Sequence, residues 1–230
     1  KTVERSRCQK KVLYEMEKGI PYKNSDPENV VLMGFRLDSL NKLYKGKHLN
    51  DVARLHGKNA DETVLDLVVK DKSRIEALYY LQSEDNLRKI VQLPYVSFGS
   101  DAGSLSLTKS FADWGAHPRA YGTFARILGK YVRDEKLITL EEAIRRMTSL
   151  PAANLKIQKR GSLKVSYYAD LAVFDPVAIR DLATFEDPHQ YAEGMVHVFV
   201  NGIQVLDEGR HTGAMPGRVI RGAGWKKAGH

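Results

Sequence analysis

The chain has 230 residues, 43% of them hydrophobic, enough for one large domain or one and a half with a buried core, which excludes a disordered chain. No apolar run approaches the roughly 18 residues of a membrane-spanning helix, the N-terminal KTVERSRCQKK lacks the apolar stretch of a signal peptide, and the single Cys8 excludes an internal disulfide and a cysteine zinc cluster. The net charge of +8 sits at the ends, with seven Lys/Arg against three Glu in residues 1–24 and five Lys/Arg with no acid in 209–230, whereas a nucleic-acid groove interleaves Arg, Lys and aromatics through the body of a fold. The expectation is a soluble, cytoplasmic chain with neither a nucleic-acid nor a membrane partner.

ERSRCQKKVLYEMEKG reads as an amphipathic helix with Cys8, Val12, Leu13 and Met16 on one side, stopped by Gly19 and Pro21. NVVLMGF (29–35) is an apolar strand. Two short helices follow in 48–71, separated by Gly57, with Asn59 as the N-cap of the second. RIEALYYL (74–81) is a second strand, EDNLRKIVQ a helix, and LPYVSFGSDAG (93–103) opens with a third strand over 94–98. Strand, helix, strand predicts a right-handed βαβ crossover with two parallel strands, whose C-terminal ends share the edge that carries ligand chemistry in α/β folds. Asp101 lies three residues beyond Phe98, at that edge.

Residues 121–132 read as a helix. Thr139 opens another, with Glu142 three residues on as in a capping box, and Leu140, Ala143, Ile144 and Met147 fall on one face; 151–155 makes a short further helix. From Gly161 the texture changes to short apolar runs cut by Gly, Asp and Pro: GSLKV, YADLAVFDP, MVHVFVNGIQVLDEG and GRVIRG. VFVNGIQVL is a hairpin signature with Asn201-Gly202 as a two-residue type I′ turn, so 161–222 reads as an antiparallel β module. There is no internal repeat.

Several chemistries are excluded by spacing. Gly122 to Lys130 is not a P-loop, and there is neither HExxH nor His-x-His among His48, His56, His117, His189, His197, His211 and His230. A lone His on a strand, such as His197, is more often packed or at the surface than a ligand. Ser100, Asp101 and His117 do not make a nucleophilic triad, because a Ser beside its own Asp on an extended segment points away from it and no G-x-S-x-G elbow is present. What remains is GSDAGSLSLTKSFADWGAHPRAYGTF (99–124), which puts Asp101, Gly103, Gly115, His117, Pro118 and Arg119 into one polar stretch.

That stretch, with SEDNLRKIVQLPYVSFGSDAG before it and the later YADLAVFDP, TFEDP, VFVNG and PGRVIR, resembles the C-terminal part of the N-acyl-D-amino-acid deacylases, or D-aminoacylases, of the metal-dependent amidohydrolase superfamily. The resemblance runs from about residue 60 to about 222; residues 1–59 match it loosely. It implies an α/β fold: 1–160 would be the C-terminal part of a TIM-like (β/α)8 barrel with a helical insert, and 161–230 strands of a small β-sandwich with a basic tail.

The resemblance also implies roles. Asp101 matches the aspartate that ends the eighth barrel strand beside zinc, as proton carrier and possible metal ligand. Arg119 matches the arginine of His-Pro-Arg, which holds the substrate's α-carboxylate through its fork, and His117 belongs with substrate binding as a brace for the loop. The family's zinc ligands, a His-x-His, a middle Cys or Glu and two later His, lie upstream of the matched region and are not found in this sequence. The expected partners are therefore an N-terminal barrel portion of the same enzyme and a small N-acyl amino acid. The alternatives are a metal-free remnant serving as a binding or scaffold module, and a cyclic-amide hydrolase of dihydroorotase or hydantoinase type.

Overall fold

The structure is a computed structural model that describes residues 10–16, 26–103, 105–107, 116–185, 187–222 and 224–225. Cys8, Gly19, Pro21 and Gly115 lie outside them. The chain divides into two compact units, residues 1–83 with 112–115, and residues 84–111 with 116–230.

In the first unit, α1 (10–16) keeps Val12, Leu13 and Met16 half-buried, the stripe its spacing implied. β1 (Val30–Gly34) is an unbroken apolar run, and Val30, Val31 and Leu32 are buried, as a strand covered on both faces requires. It pairs with β2 (Glu76–Tyr79), Val31 opposite Leu78. The pairing is antiparallel. Three helices, α2 (Asp38–Tyr44), α3 (Leu49–His56) and α4 (Ala60–Asp71), close over this ribbon around Leu32, Phe35, Leu40, Val52 and Leu67. Gly57 ends α3 with φ +60°, a left-handed C-cap that glycine adopts without strain, and the Asn59 side chain accepts from the Glu62 amide to start α4. At the far end of α4, the buried Asp71 accepts from the amides of Arg36 and Leu37 at 3.0 and 2.8 Å and from Ser73. Burial works against its charge, but these donors outweigh burial and hold the carboxyl below the usual range.

The second unit begins with α5 (Glu84–Val91). After the segment 92–103 come α6 (Arg119–Arg126), whose backbone continues as a π-helical stretch over Ile127–Asp134, then α7 (Leu140–Met147) and α8 (Ser149–Asn154). Thr139 caps α7 by accepting from the Glu142 amide, while the Glu142 carboxylate turns instead to Arg145 at 2.7 and 2.8 Å. The strands β3 (Leu171–Phe174), β4 (Met195–Val200), β5 (Ile203–Asp207) and β6 (Arg210–His211) form one antiparallel sheet in that order. Asn201 and Gly202 turn β4 into β5 with φ +52° and +82°, the two positive values of a type I′ turn. Val91, Ala125, Ile127, Leu128, Tyr131, Ala143 and Ile179 form the core, with Phe174 and Met195 of the sheet packed against it.

Three expectations need correction. Residues 94–98 are not a strand, and β2 is not one of a parallel pair: it pairs antiparallel with β1. A strand exists only where a neighbour completes its ladder, and beside 94–98 the described residues offer helix α7 instead. GSLKV and GRVIRG likewise form no strand; Val165 and Val219 are 96% and 80% exposed.

Candidate active site

Of the polar stretch, the described residues Asp101, His117 and Arg119 meet at the start of α6. Asp101 has φ +47°, a left-handed conformation that Asp tolerates better than most residues. That kink turns both its carbonyl and its carboxylate toward the first turn of α6. Arg119 meets them with Nε donating to the Asp101 carbonyl at 3.1 Å and Nη2 paired with the carboxylate Oδ2 at 3.1 Å. The pair faces solvent, with the Asp101 side chain 90% and the Arg119 side chain 45% exposed. A cation in the first turn of a helix is opposed by the macrodipole, so the carboxylate beside it offsets an unfavourable placement.

His117 is brought to the same place in a different capacity. Pro118, at the N-cap of α6, has no side-chain donor or acceptor for the orphan amides. The His117 ring supplies one, its Nδ1 accepting from the Arg119 amide at 3.1 Å. Burial, reinforced by the Arg119 charge, pushes the imidazole pKa down, which keeps Nδ1 free of a proton and able to accept. The ring edge rests against Phe185, centroids 5.2 Å apart at 80°.

One turn along α6 lies a group that residue spacing did not reveal. The Tyr121 hydroxyl is 3.2 Å from His189 Nδ1, and its ring lies edge-on to Tyr191 at 5.9 Å. The Tyr191 hydroxyl in turn accepts from the Leu107 amide at 3.3 Å, fastening the stretch that follows Asp101. Burial, then the neighbouring Tyr191, raises the Tyr121 pKa, so its hydroxyl stays protonated. The signal available in sequence was only the density of aromatic and imidazole side chains in TFEDPHQYAEG, which no spacing rule connects to residue 121.

The segment that leads to Asp101 is held by α7. Arg146, fully buried, donates from Nε to the Val96 carbonyl and from Nη1 to the Val91 carbonyl, with its guanidinium 4.2 Å above the Phe98 ring. The Phe98 amide donates to the Arg146 carbonyl at 3.4 Å, and the neighbouring Arg145 donates to the Pro94 carbonyl at 2.7 Å.

Among the described residues Asp101 belongs to no group of three or more His, Cys, Asp or Glu side chains close enough to hold one ion. The group of that kind is His197, Asp207 and Glu208 on the sheet. There His197 Nδ1 faces Asp207 at 3.1 Å and Nε2 faces Glu208 at 3.3 Å, and one ligand atom from each of the three lies within 4.8 Å of the others. No helix among the described residues is long and apolar enough to cross a membrane.

The model of the amidohydrolase family matches residues 49–206. A D-aminoacylase of Alcaligenes xylosoxydans xylosoxydans is 38% identical over 175 residues, covering 76% of this chain and 34% of that protein. A crystal structure of D-aminoacylase, described as defining a novel subset of amidohydrolases, superposes with a TM-score of 0.71 at 34% identity, covering 83% of this chain and 37% of the other. An N-acyl-D-glutamate deacylase from Bordetella bronchiseptica, complexed with zinc and a phosphonate mimic of the tetrahedral intermediate, superposes with a TM-score of 0.65 at 30% identity over 90% of this chain and 45% of its own. The chain thus spans about a third of the length of the curated relatives it matches.

Proposed function

The chain belongs to the amidohydrolase family, and from that premise we propose that it is the C-terminal portion of a zinc-dependent enzyme. The reaction is hydrolysis of the amide bond of N-acyl-D-amino acids to a carboxylate and a free D-amino acid. The observation that carries this reading is the meeting of Asp101 and Arg119 at one solvent-facing point, in a chain whose relatives are deacylases. The amidohydrolase-type fold of mixed helices and strands supports the finer reading of 1–160 as the end of a barrel and 161–230 as sandwich strands with a basic tail.

Each residue has a task that suits its chemistry. The Arg119 fork binds a carboxylate through two charge-assisted hydrogen bonds, which fits the α-carboxylate of an N-acyl amino acid. When that carboxylate takes the guanidinium, the Asp101 side chain is released. It moves without repacking, because it is already 90% exposed. The freed carboxylate accepts a proton from the attacking water and delivers it to the leaving amine. His117 takes no part in the proton transfer; its Nδ1 is engaged at the start of α6, where it holds Arg119 in place.

Zinc takes about four donors at roughly 2.0 to 2.3 Å, three or more of them from protein, and the residues around Asp101 do not fit that requirement. The zinc proposed for the complete enzyme relies on donors from a preceding barrel portion, in keeping with the share of its relatives that this chain spans. The same lack of donors favours the second reading, a metal-free binding or scaffold module. Native mass spectrometry of material purified from its source separates the two: zinc and a longer polypeptide support the enzyme, and a bare 230-residue chain supports the module. Assay of that material against N-acyl-D-amino acids, their L-enantiomers and cyclic ureides tests the substrate class, and turnover confined to ureides would replace it with a dihydroorotase- or hydantoinase-like activity.

A further inference from the structure

Arg146 lies on the apolar face of α7, beside Ala143, where helical spacing calls for a Leu or Met. Burying a guanidinium is expensive, and burial lowers its pKa from the ordinary value. No carboxylate is bonded to it among the described residues: Glu142, one turn back, is taken by Arg145, and Arg146 Nη2 has no hydrogen-bond partner. Replacing a buried charge by an apolar side chain of similar volume often stabilises a protein. Packing therefore does not explain this arginine.

What the guanidinium touches does. Its two bonded nitrogens reach carbonyls five residues apart in one segment, Val91 and Val96, and its face covers Phe98 two residues further on. Val91 ends α5, whose last carbonyls have no intrahelical donor, and 94–98 has the composition of a strand with none beside it among the described residues, so both carbonyls lack the donors that a longer helix or a ladder would supply. Arg146 supplies two of them, and its own carbonyl receives the Phe98 amide. Asp101 follows Phe98 by three residues, with no regular element between to set its position.

We propose that Arg146 is a positioning residue that clamps the end of α5 to the extended segment 94–98 and thereby sets where the Asp101 carboxylate stands relative to Arg119. The inference rests on the reading of Asp101 as the proton carrier. It assigns Arg146 no contact with substrate; it acts through the backbone that carries Asp101. A planar fork suits this because two separate nitrogens reach the two carbonyls while the flat face lies on the ring, and the single nitrogen of an ammonium has neither the spread nor the face.

The test uses Arg146→Lys, which keeps the charge, and Arg146→Met, which keeps the volume; Phe98→Leu, which removes the ring under the fork, serves if neither folds. Hydrogen exchange on the complete enzyme is expected to show at least tenfold faster exchange for amides 96–101 with protection of α6 and α7 retained. In the complete enzyme, kcat for an N-acyl-D-amino acid falls at least tenfold while KM changes less than twofold, since Arg119 is untouched, and the melting temperature stays near that of the wild type. Unchanged exchange at 96–101 overturns the clamp, and faster exchange with unchanged kcat overturns the positioning. Asp101→Asn in the same assay isolates the underlying reading: if that variant keeps its turnover, the role of Asp101 falls, and the exchange measurement still decides the clamp.

Discussion

Asp101 and Arg119 are joined through one carboxylate oxygen and one guanidinium nitrogen 3.1 Å apart, in a position open to water. An exposed ion pair of this kind contributes only about 0–1 kcal/mol, so neither residue is needed to hold the fold, and substitutions there report on chemistry. Asp101→Asn in the complete enzyme is expected to leave the unfolding midpoint nearly unchanged and to lower kcat roughly 10²- to 10⁴-fold, the range for loss of a positioned proton carrier; near-wild-type turnover would remove Asp101 from the mechanism. Arg119→Lys is expected to raise KM for N-acyl amino acids about tenfold or more and to spare a substrate whose carboxylate is amidated, because Lys cannot reproduce the bidentate geometry. Equal losses on both substrates point to a structural arginine. Of the residues at this point of the molecule, Asp101, His117 and Arg119 were legible in sequence because they fall in one polar stretch. Tyr121, His189 and Tyr191 were not, since 68 residues separate the hydroxyl from the imidazole it meets.

Helix α6 is the element on which the candidate site depends, and its two ends make separate demands. At its start, His117 must be neutral to accept the Arg119 amide. The folded pKa of His117 lies below its unfolded value, so the stability it brings is complete above about pH 6.5, the ordinary histidine value, and is lost as pH falls toward the lowered one. The destabilisation caused by His117→Ala, read from urea midpoints against wild type, is accordingly expected to be larger at pH 7.5 than at pH 5.5; a penalty that grows on acidification contradicts the bond. Further along, in the π-helical continuation, a Cβ on Gly129 would lie 2.6 Å from the Ile179 carbonyl oxygen. Gly129→Ala should therefore cost about 1–3 kcal/mol by overpacking, against a helix-propensity gain of about 1 kcal/mol; calorimetry showing a stabilised variant would mean that the loop carrying Ile179 gives way. Most helices were legible from their apolar spacing and caps, Asn59 and Thr139 among them, but α2 was not, since its N-cap Leu37 makes no side-chain cap. The strand expected at 94–98 failed because apolar β-branched and aromatic composition says that a segment is extended, and not what supplies its hydrogen bonds.

At the scale of the molecule, the 230-residue chain by itself is expected to hold no stoichiometric zinc after dialysis against a chelator and to show no measurable deacylase activity, whereas joining it to the preceding barrel portion restores both. Metal analysis giving one zinc or more per isolated chain, with hydrolysis of an N-acetyl-D-amino acid, would overturn that expectation. The amino-acid sequence by itself determined most of the helices, with the caps at Asn59 and Thr139, the Asn201-Gly202 hairpin, and the polar stretch around Asp101, since each depends on neighbours a few residues apart; it left α2 unread and placed the starts of α6 and α8 two residues late. Only the tertiary structure decided that β2 pairs with β1, that residues 91–98 lean on a buried arginine, that His117 faces the start of α6, and that Tyr121 meets His189 and Tyr191. The physical reason is common to all four: each partner is chosen by which groups the folded chain leaves without hydrogen bonds or cover, and that depends on residues distant in sequence or on how the local backbone is finally placed.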